Sequence, residues 1–117
     1  MSQPTPLTVE VEDTVGGLLI TVRGDLDFPC ADVLRIALAT ALDRAPARLT
    51  VDVEGLTFID SSGLAALVHA WRRGDDTGTP VVLQSVPPFL AAILKITGID
   101  ELFTRPAAQT RADAATA

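Results

Sequence analysis

Two segments of the sequence, "LTVEVE" at residues 7–12 and "LTVDVE" at residues 49–54, alternate strictly between apolar and polar side chains. Such alternation is typical of a β-strand with one buried and one exposed face, whereas strands covered on both faces are continuously apolar. Residues 18–24 and 81–86 alternate less cleanly and complete a set of four predicted strands. The pattern therefore predicts a sheet that carries its helices mainly on one face.

Three further segments carry apolar residues at helical spacing, at residues 30–44, 62–74 and 89–97. The first predicts one broad apolar stripe that includes Val33, and the second predicts a buried face that includes Trp71. Because strand–helix–strand crossovers give parallel neighbours, the second, third and fourth strands are predicted to be parallel. The first strand is predicted to pair antiparallel with the second as a hairpin, through a turn at "VGG".

The segments together predict a single α/β domain over residues 1–105, with a mixed sheet of four or five strands. The fifth would be a short last strand at "LFTR", residues 102–105. Residues 106–117 have no period and few large apolar groups, so they are predicted to be a disordered tail. Four large side chains are predicted to lie in the core: Leu38, Leu67, Trp71 and Leu90.

Composition limits the classes of partner and site. The 117 residues carry a formal net charge of −6 and lack a basic face, so direct nucleic-acid binding is not expected. No apolar stretch approaches ~20 residues and no signal segment is recognisable, which predicts a cytoplasmic protein without membrane insertion. With Cys30 as the single cysteine and His69 as the single histidine, neither a disulfide framework nor a metal or cofactor site is predicted.

Polar residues follow the second and third predicted strands, in "GDLD" and in "FIDSSG". The carboxyl ends of parallel strands meet at one edge of a sheet, so Asp25, Asp27, Asp60 and the two serines Ser61 and Ser62 are predicted to converge there. Helix capping explains part of the pattern, with Asp27 capping the first helix and Ser62 favoured as the cap of the second.

Capping does not explain Gly63, which stands inside the first helical turn. The absence of a side chain there is expected to let another molecule approach closely.

Three chemical roles for the serines fit the residues poorly. His69 is eight residues from Ser61, roughly 12 Å along a helix, and "G-x-S-x-G" does not occur, which argues against a serine nucleophile. The glycines and lysine of a phosphate-binding loop are lacking. An aspartyl-phosphate receiver domain stays open but fits poorly, because Lys95 falls within a predicted helix. We therefore expect no intrinsic enzymatic activity.

The remaining role is that of a phosphoryl acceptor. A phosphate on a serine at a helix N-terminus would meet free backbone N–H groups and the positive end of the helix dipole. It would also add about −1.5 to −2 charges to an edge that already holds three aspartates. Such a change favours a switch in partner binding.

Three stretches resemble the STAS domains, in particular the bacterial anti-sigma factor antagonists. They are "GDLDFPCADVL", "VDVEGLTFIDSSGLAAL" and "VPPFLAAILKITGIDELF", and the resemblance covers about residues 7–103. It implies that Ser61 is phosphorylated by an anti-sigma factor that is also a serine kinase, and that a serine phosphatase reverses the modification. It further implies that the unphosphorylated protein binds the anti-sigma factor and releases a sigma factor. The implied partner-binding residues are Asp25, Asp27, Asp60, Ser62 and Gly63.

Two other members of the STAS family keep an alternative open. STAS modules also serve as accessory subunits of membrane lipid transporters and as scaffolds in stress signalling, where they bind an ATPase or partner module without a phosphorylation switch. Both serines are retained here, which favours the switch.

Overall fold

The structure is a computed structural model and describes residues 5–104. Along the chain, the elements are β1 (Thr8–Thr14), β2 (Gly17–Leu26), α1 (Phe28–Asp43), β3 (Leu49–Ile59), α2 (Ser61–Thr77), β4 (Val81–Gln84), α3 (Pro88–Thr97) and α4 (Asp100–Thr104).

The four strands form one mixed sheet in the order β1-β2-β3-β4. β1 runs antiparallel to β2, and β2, β3 and β4 are parallel to one another, as the order of elements predicts. The turn of the β1–β2 hairpin lies at Val15 and Gly16, between paired residues Thr14 and Gly17. β2 and β3 are thus the central strands.

The two faces of the sheet differ as the alternation predicts. Side chains of β2 and β3 that face the helices are buried in one apolar cluster together with residues of α1, α2 and α3. The opposite face presents polar residues, including Thr21, Arg23, Asp52 and Glu54. The four predicted core residues are all buried, Leu38, Leu67, Leu90 and Trp71, the last of them 9% exposed.

Residues 102–104 of the predicted "LFTR" strand are helical, because they belong to α4. Gly98 ends α3 in the left-handed conformation, and the next helix starts with Asp100 and Glu101 in its first turn. Acidic side chains there are favoured by the helix dipole, which resolves an apolar pair that fits either structure. The described sheet accordingly has four strands.

The predicted stripe of α1 is also wrong at one position. Val33 is 54% exposed, because the buried residues of α1 follow a narrower line: Ala31, Leu34, Leu38, Ala41 and Leu42. The predicted tail at residues 106–117 lies outside the described residues. Among residues 5–104, every helix is too short or too polar to cross a lipid bilayer.

Candidate functional site

The two central strands end side by side and deliver two helix N-termini to the same edge of the sheet. Leu26, the last residue of β2, is paired with Ile59, the last residue of β3. The next residue of each chain segment, Asp27 or Asp60, is the N-cap of the helix that follows. The Asp60 backbone N–H donates to the Leu26 carbonyl at 3.2 Å, which fixes the two N-termini to each other.

Asp60 caps both helices with one carboxylate. Its Oδ1 accepts from the backbone N–H groups of Ser62 (2.9 Å) and Gly63 (3.1 Å) in the first turn of α2. Its Oδ2 accepts from the N–H of Phe28 (2.8 Å), the first residue of α1. The expectation that Ser62 caps α2 is wrong, because a carboxylate one residue before the helix reaches these N–H groups first.

Gly63 is buried against the end of β2, so the expectation that it clears space for an incoming molecule is wrong. A β-carbon at this position would lie 2.7 Å from Leu26 Cγ and from the Leu26 carbonyl oxygen, and 2.8 Å from Ile59 Cγ1. The glycine lets α2 approach the sheet closely, which brings the N-terminus of α2 beside that of α1.

Ser61 is the first residue of α2 and is exposed, while Ser62 is half-buried. The backbone N–H of Leu64 donates to the Asp60 carbonyl at 3.0 Å, so Asp60 engages three consecutive N–H groups of the first turn. The expectation that a phosphate would find these groups free is therefore wrong. A phosphate on Ser61 would instead extend toward solvent, next to the Asp60 carboxylate.

Asp27 occupies the N-cap position of α1 without a side-chain capping bond. Its backbone carbonyl accepts from the N–H groups of Cys30 (2.9 Å) and Ala31 (2.8 Å), so the chain still turns into the helix. The Asp27 carboxylate lies beside the Cys30 thiol and raises its pKa, chiefly through their hydrogen bond; burial and the charges of Asp27 and Asp25 add to the effect. A raised pKa keeps this thiol protonated and weakly reactive.

Asp25 engages a different part of the molecule. Its Oδ2 accepts from the backbone N–H of Thr5 at 3.0 Å, and its Oδ1 accepts from the hydroxyl of Thr57. The Asp25 N–H also donates to the Thr5 carbonyl at 2.9 Å. Asp25 thus holds the segment before β1 against the sheet. The structure gathers Asp27, Asp60, Ser61, Ser62 and Gly63 at the two helix N-termini, and it commits the Asp25 side chain elsewhere.

Two exposed aromatic residues flank this cluster and were not predicted as site residues. Phe28 is 75% exposed and Phe58 is 49% exposed. Both adjoin the aspartate motifs in sequence, in "DLDF" and "FID", and an aromatic residue beside a polar cluster was the signal available. His69 is exposed, as its helical position predicts, and it lines a cavity that also contains Phe28 and Ser62.

The family model described as "Mlab, STAS domain" matches residues 9–104. The chain therefore belongs to the STAS domain family. Within that family, it resembles regulators of sigma factors most consistently.

A crystal structure of an anti-sigma factor antagonist from Mycobacterium paratuberculosis has a TM-score of 0.74 and 30% sequence identity, and the match covers 88% of this chain and 87% of that one. The anti-sigma F factor antagonist of Paenibacillus polymyxa is 26% identical over 94 residues, which is 80% of each chain. The phosphorylated form of the Bacillus cell fate determinant SpoIIAA, at 21% identity, has the same fold with a TM-score of 0.67; the match covers 81% of this chain and 87% of that one. These relatives identify the chain as an anti-sigma factor antagonist.

Proposed function

We propose that this protein is a partner-switching antagonist in which Ser61 is the phosphate acceptor. The unphosphorylated form binds an anti-sigma factor that is also a serine kinase, which releases the sigma factor. Phosphorylation of Ser61 abolishes that binding, and a serine phosphatase restores it. The switch operates in the cytoplasm and requires no cofactor.

The observation that carries this proposal is the exposure of Ser61 at a helix N-terminus whose first-turn N–H groups are engaged by Asp60. The hydroxyl is accessible, and the fold does not supply free amides that would draw a phosphate inward. The added charges would therefore act on whatever binds this surface. Like charges brought together at an interface cost several kcal/mol, enough to abolish a moderate affinity.

The same surroundings support a role as a substrate and binding partner rather than as an enzyme. A nucleophilic serine needs a base within hydrogen-bonding reach. His69, the only histidine, lies two helical turns further along α2. Asp60 Oδ1 and Oδ2 are occupied as helix caps. We propose that the protein has no catalytic activity of its own.

The test is phosphorylation by the purified anti-sigma factor kinase of the same organism, with tandem mass spectrometry to locate the phosphate. Wild-type protein and Ser62→Ala are expected to gain one phosphate on Ser61, and Ser61→Ala is expected to gain none. Ser62→Ala is the matched control, because it removes the adjacent hydroxyl and leaves Asp60 in place. Phosphate on Ser62, on an aspartate as a hydroxylamine-labile adduct, or on no residue would contradict the proposal.

Binding is measured separately, by calorimetry with the same kinase and ADP. Ser61→Asp is expected to weaken binding less than full phosphorylation does, because one carboxylate carries less charge than a phosphate. Equal binding of the phosphorylated and unphosphorylated forms would contradict the switch.

The name of the matching family model, "Mlab, STAS domain", keeps one alternative in view: an accessory role beside a transporter ATPase. Purification of the protein with its bound partners from its native cells distinguishes the two functions. A transporter ATPase in place of a serine kinase would favour the alternative.

A further inference from the structure

An open groove of about 490 Å³ runs between the N-terminal halves of α1 and α2 and begins beside the phosphate-acceptor position. Ser62, which directly follows Ser61, forms part of its wall. We propose that this α1–α2 groove receives an apolar side chain of the anti-sigma factor kinase, and that Phe28 is the main anchoring residue of the contact. This inference rests on the proposed function and adds to it the surface on which the kinase docks.

The walls of the groove are apolar and shallow. Ala31 of α1 and Ala66 of α2 are both buried, at 8% and 5% exposure, and form its floor. Pro29 and Ala65 are exposed on its two sides. Small residues on both facing helices leave a depression that one branched or aromatic side chain would fill, which is the usual form of an anchor pocket at an interface.

Phe28 stands at the edge of the groove and is the second most exposed aromatic or aliphatic candidate on this side of the molecule to need an explanation, after no other groove residue; its side chain is 75% exposed. Its backbone is held in place, because its N–H donates to Asp60 Oδ2 at 2.8 Å. A rigidly held exposed aromatic ring loses little conformational entropy on binding, and aromatic residues are enriched among those that dominate interface energies.

The charges around the groove define the chemistry of the partner segment. Inside it, Arg35 donates to Asp32 Oδ1 through Nε (3.1 Å) and Nη2 (2.9 Å), so this pair is neutral overall. Beside the groove opening, Asp27 and Asp60 leave the surface acidic. The geometry therefore fits a segment with an uncharged apolar side chain for the groove and a lysine or arginine facing the two aspartates.

The experiment compares the affinities of four variants for the purified kinase with ADP, by calorimetry at two salt concentrations. Phe28→Ala removes the anchor, and Ala65→Glu fills the groove entrance from an exposed helical position. Ile96→Ala and Ala92→Glu are the matched controls, because both residues are exposed on α3 and outside the groove. Far-ultraviolet circular dichroism and the thermal midpoint verify that each variant is folded.

Phe28→Ala and Ala65→Glu are each expected to weaken binding roughly tenfold or more. The two control variants are expected to stay within about twofold of wild type. The affinity of wild type should fall with added salt if a basic group faces Asp27 and Asp60.

Each other outcome has a defined meaning. Wild-type binding with unchanged affinity for Phe28→Ala and Ala65→Glu overturns this inference and leaves the proposed function standing. A kinase that neither binds nor phosphorylates the wild-type protein overturns both. Wild-type self-association in analytical ultracentrifugation that Ala65→Glu abolishes would assign the groove to a second copy of this chain and overturn the inference.

Discussion

The N-termini of α1 and α2 have the same residue type at the same structural position, yet they are built differently. Asp27 and Asp60 each follow a central parallel strand and each serve as an N-cap residue. Asp60 accepts N–H groups from both helices, whereas Asp27 makes no capping bond with its side chain. The comparison shows that one carboxylate can organise two helices and leave its counterpart free for a neighbouring thiol.

The largest expected difference between the two aspartates is in stability. Asp60→Ala removes the caps of both helices and is expected to lower the free energy of unfolding by about 2–4 kcal/mol, on the order of two caps. Asp27→Ala is expected to lower it by less than about 0.5 kcal/mol, as for surface substitutions. Urea unfolding measures both values, and equal losses would contradict the assignment of the double cap to Asp60.

A smaller effect is expected from the glycine that brings α2 close to β2. Gly63→Ala places a methyl group against Leu26 and Ile59 and is expected to cost about 1–3 kcal/mol. Gly16→Ala is the control, because a β-carbon there meets no atom within 4 Å. A thermal melt that gives the two variants the same midpoint would show that the close approach does not matter.

The serines are expected to contribute little to folding, because Asp60 supplies the cap of α2. Ser61→Ala and Ser62→Ala should each change the free energy of unfolding by less than about 0.5 kcal/mol. Chemical denaturation provides the measurement. A loss near 1 kcal/mol in Ser62→Ala would restore that residue as a cap and weaken the contrast between the two helix N-termini.

The smallest expected effect concerns the Cys30 thiol beside Asp27. The carboxylate raises the pKa of Cys30, so Asp27→Asn should lower that pKa and speed alkylation by iodoacetamide at pH 8 by about two- to fivefold. Because the folded pKa is raised, the associated stabilisation is complete below the unfolded thiol pKa and is lost as pH rises through the folded value. Alkylation at an unchanged rate would contradict the role given to Asp27.

The topology could be predicted because its signals are local. Strict alternation at residues 7–12 and 49–54 identifies strands with one buried face, and the order of elements then determines which strands are parallel. The same reasoning brought the helix N-termini of α1 and α2 to one edge of the sheet. It failed at residues 102–104, where a two-residue apolar pair fits a strand and a helix equally well.

The detailed geometry of the site could not be predicted because it depends on contacts across strands. The bond from Phe28 to Asp60 joins residues that are 32 positions apart and requires the register of β2 against β3. The packing of Gly63 likewise depends on Leu26 from a different strand. Capping preferences alone named the correct residue types and assigned the bonds to the wrong side chains.

The double cap has a consequence for the way a kinase must recognise its substrate. Ser61 opens a helix whose first turn is tied through Asp60 to a second helix, so the acceptor hydroxyl belongs to a conformational epitope rather than to a linear motif. A synthetic peptide with residues 56–67 contains the acceptor and its flanking letters but lacks Phe28 and α1. Such a peptide should be a far poorer substrate than the folded domain, and unfolding should protect the protein from phosphorylation.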